Sequence, residues 1–156
     1  MKKTLRKSFA LGGALFALVL TTGAATPSDT PTLGKTTLTV YKDPGCRCCK
    51  NWIDHLIKHG YGVDAKDTPA MAEVKHTLGV PDALTSCHTA VVNGYLIEGH
   101  VPAADIARLL KQKPKVAGLA VPGMPSGSPG MEGATRQHYQ VLSFDKNGKT
   151  QVFASY

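Results

Sequence analysis

Beyond its first 25 residues the chain has no long apolar run, and over its whole length it has only four cysteines. The first absence argues against an integral membrane protein, because a helix needs about 20 consecutive apolar residues to cross a bilayer. The apolar stretch that does occur, Phe9 to Leu20, is too short to span. It follows the basic Met1-Lys2-Lys3-Thr4-Leu5-Arg6-Lys7 and precedes the small Gly23-Ala24-Ala25, the pattern of a secretory signal peptide over residues 1–25. No cysteine stands near that cleavage point, so no lipid anchor and no stable membrane insertion after cleavage are expected. No acid lies in the leader, whereas four of the 18 basic residues do, so cleavage lowers the net charge from +7 to about +3 against 11 acids. A surplus that small, scattered over a domain of about 130 residues, gives no case for a nucleic-acid partner. Internal repeats are also lacking. Thr and Pro enrich residues 26–36, which read as a flexible spacer before one domain at 37–156.

The scarcity of cysteine makes its placement informative. Three of the four stand in Cys46-Arg47-Cys48-Cys49, and export implies a compartment where free thiols need a reason to survive. Three cysteines in one tetrapeptide make a poor structural staple, since a bridge closing so small a loop removes little unfolded-state entropy. The tetrapeptide lies between a strand-like run, Leu38-Thr39-Val40-Tyr41, and a helix-like run in which Trp52, Ile53, Leu56 and Ile57 repeat. Asp43-Pro44-Gly45 supplies the turn. Thiols at the first turn of a helix, with Arg47 and Lys50 alongside, are biased toward thiolate.

The remaining periodicities predict a strand at 37–41, a helix over about 48–59, a strand at 63–66 and a helix over 69–78 that stops at Gly79. A hairpin follows, Thr89–Val92 and Tyr95–Gly99 around Asn93-Gly94. An amphipathic helix runs from Pro102 to about Lys111. The resulting β-α-β-α-β-β-α order is that of an α/β, thioredoxin-like domain. A Pro/Gly-rich loop without periodicity, 113–136, leads to an added C-terminal β-hairpin.

Cys46 and Cys49 form a C-x-x-C pair, catalytic if the site is a dithiol oxidoreductase. Cys48 would interfere with such a catalyst by capturing its mixed disulfide, whereas soft ions such as Cu(I) gain from a third thiolate. In the thioredoxin arrangement the loop entering the third strand faces the reactive turn. Here that loop reads Ser86-Cys87-His88-Thr89 and lacks the usual proline, which brings Cys87 and His88 toward the cluster. Adjacent Cys48 and Cys49 project differently, which suits a polynuclear, thiolate-bridged Cu(I) cluster better than one tetrahedral ion. A single zinc held by three cysteines and His88 is the alternative. His55 and His59 share a helix face, and His55 is a candidate second-site ligand about 10 Å along the axis from Cys48. His100 is either a ligand or a surface residue; His76 and His138 read as surface or packing residues. Met124 and Met131, in the Pro/Gly loop, are candidate thioether ligands.

Together, Cys46-Arg47-Cys48-Cys49, Ser86-Cys87-His88-Thr89-Ala90, Glu98-Gly99-His100-Val101-Pro102-Ala103 and Val121-Pro122-Gly123-Met124-Pro125 through Met131-Glu132 resemble the exported CopG-type copper-resistance family. The resemblance covers nearly the whole mature chain and implies a periplasmic, thioredoxin-like protein that binds a Cu(I) cluster and interconverts Cu(I) and Cu(II). Other periplasmic copper-handling proteins would be its partners. By position it implies Cys46, Cys48, Cys49 and Cys87 as ligands, with His88, Met124 and Met131 as further contributors. His55 falls where the family has histidine. Leu56 stands where the family often has methionine, so a thioether is missing there.

Overall fold

The structure, a computed structural model, describes residues 35–156. The expected leader and most of the spacer lie outside these residues. The elements are β1 (Thr37–Lys42), α1 (Arg47–Lys58), β2 (Gly62–Asp67), α2 (Met71–Leu78), a 3-10 turn (Asp82–Leu84), β3 (His88–Val92), β4 (Tyr95–Glu98), α3 (Ala103–Gln112), β5 (Gly118–Ala120), β6 (Gln140–Phe144) and β7 (Thr150–Ser155). All seven strands form one mixed sheet in the order β2-β1-β3-β4-β5-β6-β7.

Local patterning explains most of these elements. Along β1 the buried positions alternate, with Leu38, Val40 and Lys42 turned inward. Helix α1 buries Cys49, Trp52, Ile53 and Leu56, a spacing that makes one continuous stripe. Trp52, Ile53 and Leu56 of that stripe, with Ile106 and Leu109 of α3, pack with Leu38, Val40, Ile97 and Leu119 of the sheet. A second cluster, Val80, Leu84, Leu96, Ala120 and Phe144, gathers around the 3-10 turn. The Asn93-Gly94 hairpin turn forms as expected, both residues at positive φ (46° and 83°).

The sheet is larger than the sequence reading proposed. Residues Gly118–Ala120, placed by that reading inside an irregular loop, form β5, which pairs parallel with β4 and antiparallel with β6. Three residues are too few to show alternation, and all three are buried. The C-terminal hairpin is therefore continuous with the main sheet. Glycine is required at 118, because a side chain there would collide with the Leu96 carbonyl.

Candidate metal centre

Parallel pairing of β1 with β2 and antiparallel pairing with β3 bring the end of β1 beside the start of β3, where Lys42 is opposite His88. The cysteine turn leaves the first strand at that point, and Cys87 enters the third. Cys46 is the N-cap of α1, its Sγ accepting from the Cys49 N–H at 3.2 Å. One sulfur thus takes a hydrogen bond that an apolar residue could not.

The sulfurs of Cys46, Cys48, Cys49 and Cys87 all lie within 4.8 Å of one another. Cys48 is the hinge of the group, 3.4 Å from Cys46 and 3.6 Å from Cys87. Cys46 and Cys49 are joined as a disulfide, and Cys48 and Cys87 are free thiols. Cys49 is fully buried, whereas Cys46, Cys48 and Cys87 keep partial exposure. Burial, followed by the Cys48 neighbour, pushes the Cys87 thiol up to about 12. Burial thus holds Cys87 as the neutral thiol, and a bound cation would favour its ionisation.

A second group extends the first: Cys87, His88 and His100 also place their ligand atoms within 4.8 Å of one another. His100, which the sequence left between ligand and surface, is fully buried. Its Nδ1–H donates to the Pro129 carbonyl at 2.8 Å, which leaves the Nε2 lone pair facing Cys87 Sγ at 3.0 Å. A backbone carbonyl that fixes the tautomer is the usual support of a metal-binding imidazole. His88 has Nδ1 3.3 Å from Cys87 Sγ, and its buried Nε2 has no hydrogen-bond partner. Trp52 lies over its ring, with centroids 4.3 Å apart. Burial above all, then the charges of His100 and Lys75, hold His88 well below the ordinary histidine range; burial also lowers His100. Both imidazoles are therefore neutral near pH 7, the form that binds metal. Four sulfurs and two neutral imidazoles, one of which keeps a buried ring nitrogen unpartnered, fit a soft metal ion.

The other sequence candidates are placed differently. His55 stands outside both groups; its Nε2 accepts the Ala103 N–H at 3.1 Å and so caps α3. Its partner His59 turns Nδ1 back to the His55 carbonyl. Met124 is 54% exposed, and Met131 is half-buried. The loop that carries them is seated against the site through Gly130, where a Cβ would meet Trp52 N at 2.7 Å and Cys48 O at 2.9 Å. His76 and His138 are exposed.

Sequence reasoning missed a buried polar network beside the centre. Glu98, fully buried at the end of β4, accepts from Lys75 Nζ at 2.5 Å and from the Ser86 N–H and Thr89 hydroxyl, each at 2.6 Å. A charged residue closing the apolar run Tyr95-Leu96-Ile97 was its only signal.

Residues 84–131 match a family described as "Protein of unknown function, DUF411". No curated protein matches the chain. Two solved structures, both described as copper resistance protein CopG and distinguished as forms 1 and 2, are 46% identical to it. Each match covers 78% of this chain and 98% of the other, with TM-scores of 0.74 and 0.75 respectively. The chain belongs to the family of CopG copper resistance proteins.

Proposed function

We propose that this chain is an exported, periplasmic copper-resistance protein. On this reading it binds Cu(I) ions as a thiolate-bridged cluster at Cys46, Cys48, Cys49 and Cys87 and interconverts Cu(I) and Cu(II). The convergence of four sulfurs within 4.8 Å carries this reading. Adjacent cysteines at 48 and 49 suit bridging between ions, and thiolates prefer Cu(I). His88 and His100 are the nitrogen ligands that the geometry favours, and Met131, one residue beyond the closely seated Gly130, is the favoured thioether. The strand order β2-β1-β3-β4 around the cysteine turn supports a thioredoxin-like core. Export rests on the leader-like residues 1–25; among the described residues no helix is long and apolar enough to cross a membrane.

The redox step balances on the chain's own thiols. Joining the Cys46 and Cys49 thiols as a disulfide releases two electrons and two protons, enough to reduce two Cu(II) to two Cu(I). Full use of all four sulfurs as ligands then requires that disulfide to be reduced again by an external dithiol.

The disulfide itself favours a second reading, a thiol–disulfide oxidoreductase with Cys46 as nucleophile and Cys49 as the buried resolving thiol. Anaerobic loading of the reduced protein separates the two. The copper reading expects more than one Cu(I) per chain, lost in part on Cys87→Ser. Intact copper stoichiometry and affinity in that variant, together with strong dithiol reductase activity, would sink it. A zinc module would instead take one Zn(II) per chain through three cysteines and His88.

A further inference from the structure

The buried carboxylate of Glu98 is unusual in where its hydrogen bonds go. One oxygen accepts from the backbone N–H of Ser86, immediately before Cys87; the other accepts from the hydroxyl of Thr89, immediately after His88. Lys75, reaching in from α2, donates to the first oxygen and to the same Thr89 hydroxyl. The next residue continues the grip, with the Gly99 N–H donating to the His88 carbonyl at 3.0 Å. Ser86 is tied on its other side to the Gly123 carbonyl of the loop that closes over the centre.

Stability alone is a weak reason for such a pair. Removing two charges from water is costly, and buried pairs can often be replaced by apolar residues without loss. Its partners are the two residues that bracket Cys87 and His88. We infer that Glu98, charge-balanced by Lys75, is a positioning residue of the metal centre: it clamps Ser86 and Thr89, and so fixes the Cys87–His88 pair between them. The inference rests on the copper-site reading above and assigns a role in it to two residues, on β4 and α2, whose side-chain hydrogen bonds go to each other, Ser86 and Thr89 rather than to the cysteines or histidines.

The test uses the full mature chain with Glu98→Gln, Thr89→Val and the paired Lys75→Met/Glu98→Gln, each made with and without Cys87→Ser. Cu(I) affinity is read by anaerobic competition with a chromophoric chelator, and the thiolate-to-copper absorption band is recorded. Glu98→Gln is expected to weaken Cu(I) binding ~10–100-fold, the usual effect of losing an outer support of a metal site. It should also shift the band toward that of Cys87→Ser and cost clearly less in the Cys87→Ser background, where only His88 is left to be positioned. Equal losses in both backgrounds, or no loss, would overturn the inference.

A metal-free arm keeps this separate from the copper reading. In the reduced protein, Glu98→Gln should speed iodoacetamide labelling of Cys87 several-fold relative to Cys48. If the wild type binds no Cu(I) through thiolates, the copper reading fails, and this labelling ratio alone upholds or overturns the positioning role. If Glu98→Gln does not fold, Thr89→Val decides by the same measurements, with a smaller loss in the same direction expected.

Discussion

Gly130→Ala tests how the C-terminal loop is held against the cysteine helix. Gly130 sits at φ +84°, where a left-handed backbone costs an L-residue about 1–2 kcal/mol. A methyl group there would also press on Trp52 N at 2.7 Å and Cys48 O at 2.9 Å. Both are backbone atoms of α1 and cannot rotate away, so overpacking adds ~1–3 kcal/mol. Gly123 is the matched control: it lies in the same loop at φ +68° with nothing within 4 Å of its would-be Cβ. Gly123→Ala carries only the backbone cost, and both variants recover about 0.4–1 kcal/mol from a stiffer unfolded chain. Urea unfolding should therefore place Gly130→Ala below Gly123→Ala by ~1–3 kcal/mol, a midpoint gap on the order of 1 M. Should the loop lift off before the domain unfolds, the stability gap shrinks and proteolytic cleavage within residues 122–136 accelerates. The Pro129 carbonyl then also leaves His100, which becomes open to acylation by diethyl pyrocarbonate. Equal midpoints, equal cleavage rates and a protected His100 in both variants would refute the reasoning.

Other expectations follow from the same geometry. His88 and His100 have depressed folded-state values, so the unfolded chain takes up protons first as pH falls. Metal-free stability should thus be level above about pH 6.5 and decline as pH drops below it, measured by urea midpoints from pH 8 to 5. Tyr156 behaves oppositely: burial and its bond to Asp105 push it up to about 12, so its contribution is present below pH 10 and lost as pH rises toward 12. Tyr156→Phe should flatten that alkaline slope, and an unchanged slope would dismiss the Asp105 contact. Trp52→Phe leaves the buried Val101 carbonyl without its 2.9 Å donor and should cost ~1–3 kcal/mol in chemical unfolding. With Cys87 held as a thiol, copper loading should release protons and tighten with rising pH, as calorimetry in buffers of different ionisation enthalpy would show.

The sequence by itself determined the elements whose signals are local. Trp52, Ile53 and Leu56 repeat at helical spacing, Asn93-Gly94 allows only a tight hairpin, and three cysteines in one turn announce soft-ligand or redox chemistry. It also carried the family, because its four motifs are contiguous stretches of chain. β5 was not legible, since a three-residue strand shows no period and exists only by pairing with β4 and β6. The environment of His100 was equally hidden: burial and the Pro129 carbonyl, 29 residues away, turn its Nε2 toward Cys87 rather than toward solvent. His55 shows the reverse, a plausible ligand by spacing whose Nε2 is taken by a helix terminus 48 residues on. Glu98 and Lys75 could be paired only by folding, because charge in a sequence says nothing about which opposite charge it will meet in the interior. Local geometry decides which residues can carry metal chemistry, and long-range packing decides which atoms of theirs are left free to do so.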